Sequence, residues 1–165
     1  MKRGDRVLID TMVIIEAQRI SCWNALIQFF ALETVEQCVI ECATGDRFRK
    51  GYIKVDTEKL RMQIKVHAVT ETMRVAFLTS DSRGSKLDPG ERDLLAYALS
   101  QHETWLLCDP DKAAILSAHR LNFLDRVVAL EGMALAAGIR KQGFGKNHTK
   151  NWLAEFKTKV LLGIL

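Results

Sequence analysis

Proline is nearly missing from this chain, with two among 165 residues, and glycine is modest at ten. No Pro/Gly/Ser-rich stretch is long enough to read as an interdomain linker, so a single domain is expected. Long apolar runs are missing too. The longest fall well short of the ~20 residues that a membrane helix requires. The N-terminal MKRGDRVLIDTMVII has the outline of a signal peptide, but Asp10 interrupts its apolar run and no small-residue cleavage site follows. A soluble cytoplasmic protein with no membrane partner is the expectation. The four cysteines, Cys22, Cys38, Cys42 and Cys108, form no CxxC pair, and no HxxxH accompanies them. That spacing argues against zinc and for buried free thiols. Internal repeats and low-complexity tracts are absent, and hydrophobic residues make up 48% of the chain, enough to bury a full core.

Charge is present but unevenly placed. The net charge is +4. Residues 139–165 carry six basic side chains (Arg140, Lys141, Lys146, Lys150, Lys157, Lys159) against the single acid Glu155, so the tail holds +5 and the rest of the chain −1. Arg140, Lys141, Lys146 and Lys150 are candidate nucleic-acid contacts, since a basic tail beside an acidic pocket suits a polyanion gripped by its backbone. A solvated helix face explains the charge equally well.

Hydrophobic periodicity predicts alternating strands and helices. Strands are expected at Arg6–Ile9, Ala31–Val35, Ile64–Val69 and Thr104–Cys108. Helices are expected from Thr11 onward, at Trp23–Phe30, at Glu36–Thr44 closed by Gly45, at Glu71–Thr79 capped by Thr70, and at Glu91–Gln101. Further helices are expected at Lys112–Ala118, over 124–137 with Gly138 as C-cap, and at Thr149–Leu161. The mixed segment 46–63 is unassigned, and Asp81–Gly90 reads as a loop. This order implies an α/β domain, a three-layer α/β/α with a mostly parallel central sheet. Residues 1–140 would form the domain, with 141–165 a basic helical extension packed on it. Sites in such sheets form at the carboxyl ends of the strands.

Acidic residues fall at those ends. Asp10 closes an apolar strand, where a carboxylate is costly unless solvated, paired or used as a helix cap. Asp109 follows the strand WLLC, and Pro110 forces it into extended backbone. Asp111 either caps the next helix or adds a second carboxylate. Glu91 fits a capping box with Asp88, and is also in line with Leu95 and Ala98 on the apolar stripe. Asp93 lines up with Tyr97 and Ser100 on a more exposed face. Glu36 and Glu41 compete for one role: Glu36 suits a helix N-terminus, while Glu41 sits mid-helix beside Cys38 and Cys42. The histidines His67, His102, His119 and His148 have no ligand spacing. Carboxylates from several segments converging on one point imply a hard divalent cation, Mg2+ or Mn2+.

These segments resemble the PIN-domain ribonucleases. Leu8-Ile9-Asp10-Thr11-Met12-Val13-Ile14 is similar to their first-strand signature, with Met12 where many members carry Asn. Glu41 with Gly45 resembles their helical glutamate, and Glu91 with Ala96 and Ala98 resembles their third acid. Leu106-Leu107-Cys108-Asp109-Pro110-Asp111 resembles their final Asp motif, with Pro110 inserted into the doublet. The resemblance covers about residues 6–138. It implies a metal-dependent endoribonuclease acting on single-stranded RNA, with Asp10, Glu41, Glu91 and Asp109 catalytic and Asp10, Glu91, Asp109 and Asp111 holding one or two Mg2+ or Mn2+ ions. It also implies a homodimer and, for the members that are toxins, a small antitoxin partner. A PIN-like module that binds RNA or protein without cutting remains open beside it. A receiver-like domain phosphorylated on Asp ranks lower, because Lys112 falls at a helix start instead of on a later strand.

Overall fold

The computed structural model describes residues 1–44 and 53–164. Its centre is a four-stranded, all-parallel sheet in the order β3-β2-β1-β4: β1 (Arg6–Ile9), β2 (Ala31–Val35), β3 (Lys65–His67) and β4 (Leu106–Cys108). Nine α-helices flank it among the described residues: α1 (Thr11–Arg19), α2 (Trp23–Phe29), α3 (Glu36–Thr44), α4 (Thr57–Gln63), α5 (Glu71–Ser80), α6 (Pro89–Leu99), α7 (Lys112–Arg120), α8 (Leu130–Ala136) and α9 (Lys150–Leu161). The expected α/β class with a parallel sheet is thus observed. No described helix is long and apolar enough to cross a membrane.

Strand side chains alternate between the two faces, so each short strand feeds two cores. Val7 and Ile9 of β1 and Cys108 of β4 pack with Val13, Ile14, Leu26, Leu60, Leu130 and Met133 on one face. Leu8 and Leu107 pack with Phe77, Leu94, Leu95, Trp105 and Ile115 on the other. Leu153, Phe156 and Val160 of α9 join this second core, so the basic tail is anchored by an apolar stripe. Helices covering both faces make the buried β1 apolar at all three central positions.

Strand order positions the site. From β1 the chain moves outward to β2 and β3, then returns to place β4 on the other side of β1. The carboxyl ends of β1 and β4 therefore flank the switch point, where parallel α/β sheets leave a crevice. Asp10 follows β1 and Asp109 follows β4, and the Asp10 N–H donates to the Cys108 carbonyl at 3.2 Å.

Several elements differ from expectation. β3 is three residues, and β4 starts at Leu106 because Trp105 turns into the core. Within 46–63, Asp56 caps α4 by accepting from Lys59 N. The expected helix over 124–137 is instead a short 3-10 turn (Leu124–Arg126), extended backbone, and α8. Val127 is drawn into a parallel bridge with Leu107, which breaks the helix. Gly138 takes φ +82, the left-handed conformation that follows a helix end. Gly45 lies outside the described residues.

Candidate functional site

Asp10 is 5% exposed and does two things at once. Its Oδ2 accepts from Met12 N at 2.8 Å, capping α1, while its Oδ1 faces Cys38 Sγ at 3.8 Å. Burial pushes its carboxyl up to about 6, with the charges of Glu41 and Asp111 adding to the effect. Asp109 is buried at 2% exposure. Its Oδ1 accepts from Asp111 N at 2.9 Å, so Pro110 splits the doublet in sequence without separating the two residues. Its Oδ2 is buried with no hydrogen-bond partner. Burial, then Asp10, then Glu91 and Asp111, hold its carboxyl well above the usual range.

Glu91 joins from α6. Its Oε2 accepts the Asp88 N–H at 3.3 Å in the expected capping box. Burial, Asp111 and Asp10 nevertheless raise it to about 8, so the cap does not offset its acidic neighbours. Asp111 Oδ1 caps α7 through Ala113 N and Ala114 N, at 2.6 and 3.3 Å. Asp111 thus caps a helix as one reading expected, and its charge also acts on Asp10, Glu91 and Asp109.

Glu41 separates cleanly from Glu36. Glu36 faces outward and pairs with Arg61 of α4. Glu41 turns inward: Thr11 Oγ1 donates to its Oε2 at 2.9 Å and Gly90 N donates to its Oε1 at 2.8 Å. The approach of α6 is so close that a Cβ on Gly90 would stand 2.3 Å from Glu41 Oε2. A larger residue there would require the Glu41 carboxylate to move.

Asp93 departs from the sequence reading. Instead of a more exposed face, it is buried at 4% and held by Arg74 through Nε and Nη2, at 2.8 and 2.7 Å. α6 packs against α3, α5, α7 and β2, so its middle has no solvent face. Among the histidines, His67 Nε2 donates to Glu33 Oε2 at 2.7 Å, and His148 is buried. His148 lines a small cavity together with Asp109 and Pro110.

The basic segment lies along α1. Lys141 Nζ donates to the carbonyl of Ile20 at 2.8 Å, Gly145 N donates to Glu16 at 2.6 Å, and Asn147 Nδ2 reaches the Pro110 carbonyl at 3.4 Å. The segment thus runs from the carboxyl end of α1 back to the strand end that carries Asp109. Arg140, Lys146 and Lys150 are exposed along it, whereas the Lys141 ammonium is committed to backbone carbonyls.

Five acids from four segments therefore act on one another's charge. Asp10 and Glu41 are also joined by Cys38: one ligand atom from each lies within 4.8 Å of the other two. This buried acidic and thiol group could hold a metal ion. Asp109 Oδ2 supports that fit, since a buried carboxylate oxygen without a partner is costly unless it is protonated or joined by a cation. Thr11, Cys38 and Gly90 had no place among the sequence candidates. Thr11 follows Asp10 directly, and Gly90 sits inside DPGE, but the contacts that matter cross between elements.

A scan of the chain against protein-family models finds no match, and a search of curated proteins finds none either.

Proposed function

We propose that the chain is a PIN-type, metal-dependent endoribonuclease that hydrolyses phosphodiester bonds in single-stranded RNA. The observation that carries this reading is the partnerless buried Oδ2 of Asp109 within reach of the charges of Asp10, Glu91 and Asp111. Such a set stays ionised at neutral pH only when a cation joins it. Asp10, Glu91, Asp109 and Asp111 would hold Mg2+ or Mn2+, whose all-oxygen preference matches these four carboxylates. When bound, the ion supplies Lewis acidity that lowers the pKa of water and offsets charge on the phosphoryl group.

The chain's own residues do the rest. Asp10 and Asp109 sit on two neighbouring strand ends, and their orientations are set by hydrogen bonds from Met12 N and Asp111 N. Glu41, fixed by Thr11 and Gly90, keeps lone pairs free to orient an attacking water. Arg140, Lys146 and Lys150 face solvent on the segment that reaches Pro110, next to Asp109, where they would grip the phosphate backbone.

The test is cleavage of labelled single-stranded RNA with Mg2+, with Mn2+ and with chelator. Metal-dependent cutting that falls by roughly 10²–10³ in both Asp10→Asn and Asp109→Asn supports the reading, a loss on the scale of one removed charge-stabilising group. Cutting that survives both changes refutes it. Absence of cutting by folded, metal-loaded protein favours a non-catalytic binding module, a reading that exposed Met12 beside Asp10 keeps open.

A further inference from the structure

The carboxylate pocket contains a thiol that the all-oxygen reading leaves unused. Resting on the reading of this pocket as a cation site, we infer that Cys38, Asp10 and Glu41 bind a soft divalent ion of the zinc type, in competition with Mg2+ or Mn2+. Thiolate is a donor that Zn2+, Co2+ and Cd2+ select and Mg2+ does not.

Geometry supports it first. With Zn–S near 2.3 Å and Zn–O near 2.1 Å, tetrahedral neighbours stand roughly 3.5 Å apart. Cys38 Sγ and Asp10 Oδ1 are already at 3.8 Å, and Glu41 lies within the same 4.8 Å group. Cys38 and Glu41 are three residues apart on α3, so they share a face of that helix. A second observation points the same way. Asp109 Oδ2 is buried without a partner, and Asp109 follows Cys108, whose carbonyl accepts the Asp10 N–H at 3.2 Å, so an unpartnered carboxylate lies on the strand end next to Asp10. Glu41 gives one contact to Thr11 and one to Gly90 and retains lone pairs on both oxygens. Glu41 and Glu91 are only half-buried, which leaves the pocket an open side.

The chemistry is simple exchange. The ion forms a bond to Cys38 Sγ, the thiol proton leaves to solvent, and no oxidation state changes. Local spacing rules for zinc look for paired ligands within one segment. Here the ligands come from the cap of α1 and from α3, so the absence of CxxC does not bear on this site.

The experiment titrates metal-free protein with Co2+ and Cd2+ and follows thiolate-to-metal charge transfer in the ultraviolet. Mn2+ binding is measured in parallel by calorimetry. One ion per chain should produce the band in wild type and in Cys42→Ser. Cys38→Ser should lose the band and bind Cd2+ at least about tenfold more weakly, the minimum expected when even an outer-shell partner is worth that much. Its Mn2+ binding should be unchanged. Asp10→Asn, which keeps the thiol, should show a weakened band, and this second variant serves if Cys38→Ser does not fold. No band in wild type, a band that survives Cys38→Ser, or an undiminished band in Asp10→Asn overturns the inference. A Cys38-dependent band without any Mn2+ binding sustains the thiol site and refutes the Mg2+/Mn2+ reading instead.

Discussion

Gly90 and Asp10 give the sharpest consequences of single side chains. An exposed glycine in the first turn of a helix usually gains stability on replacement by alanine, by roughly 0.5–1 kcal/mol. Gly90 should do the reverse. Its added methyl would meet Glu41 Oε2 at 2.3 Å, so either the carboxylate or the start of α6 must move. Gly90→Ala is expected to destabilise by about 1–3 kcal/mol, the range for overpacking, and to lower cleavage; urea unfolding and the RNA assay measure the two separately. A stabilised Gly90→Ala would show that Glu41 is not held as described. Asp10 behaves oppositely. Burial raises its carboxyl to about 6, so ionised Asp10 strains the metal-free fold at neutral pH. Asparagine keeps the cap on Met12 N and removes the charge. Asp10→Asn should therefore stabilise the chelated protein at pH 7.5 by up to ~3 kcal/mol, from a shift of about two pK units, while lowering cutting by roughly 10²–10³. A melting temperature below wild type in chelator would refute this.

At the scale of elements, the tail divides its labour between an apolar and a basic face. Leu153, Phe156 and Val160 bind α9 to the core, while Arg140, Lys146 and Lys150 remain outside. Replacing those three by glutamine should leave the urea midpoint nearly unchanged. It should weaken single-stranded RNA binding at all sequences and flatten the slope of log affinity against log salt by about 2, at ~0.7 per phosphate contact. Adding Lys141→Gln should instead cost stability, because its ammonium ties residues 141–145 to the end of α1. Which elements were legible in the sequence follows from where their stabilising contacts lie. β1 ending at Asp10, α3 with Glu41 inside it, and α5 behind its Thr70 cap rest on local pattern, and local pattern found them. α4 was missed because Leu60 is its one buried residue and no apolar stripe forms. The break between Arg126 and Leu130 was invisible because Leu107, far away in sequence, supplies the partner for Val127. Asp93 was misplaced for a similar reason: helical periodicity assumes one solvent face, and α6 has none at its centre. Asp10, Asp109 and Asp111 were readable because each follows a strand or caps a helix, and Glu41 and Glu91 because each lies on a helix with a clear local pattern. Cys38 and Gly90 enter only through contacts between elements.

The whole molecule balances two classes of buried carboxylate with opposite dependence on pH. Glu16, Glu33 and Asp81 are pushed upward by burial, but their bonds to Arg19, Arg6 and Arg120 outweigh it and hold them low. Their stabilisation is complete once pH exceeds their ordinary values of 4.5, 4.5 and 3.8, and is lost only in acid. His148 is pushed by burial below its ordinary 6.5, so its contribution is also complete above that value. The site acids run the other way. Glu91, raised to about 8 from 4.5, and Asp109, raised well above 3.8, still hold protons in the fold when the unfolded chain has released them. Where the native state binds more protons, stability falls as pH rises, by about 1.4 kcal/mol per pH unit per proton. Between pH 6.5 and 8 the two classes separate, since the low-pKa groups and His148 no longer contribute a slope. Chelated wild type should lose stability across that window. Glu91→Gln, which preserves the cap on Asp88, should lose less, by roughly 1 kcal/mol once solvent screening of this half-buried group is allowed for. Excess Mn2+ should flatten or invert the wild-type slope, because a cation that binds the ionised carboxylates stabilises only the fold, and more strongly as their protons leave. Thermal melts of both proteins at pH 6.5 and 8, with chelator and with Mn2+, decide it. A wild-type slope that is flat in chelator would mean the five acids do not share one buried site, and one that Mn2+ leaves unchanged would mean that no cation completes it.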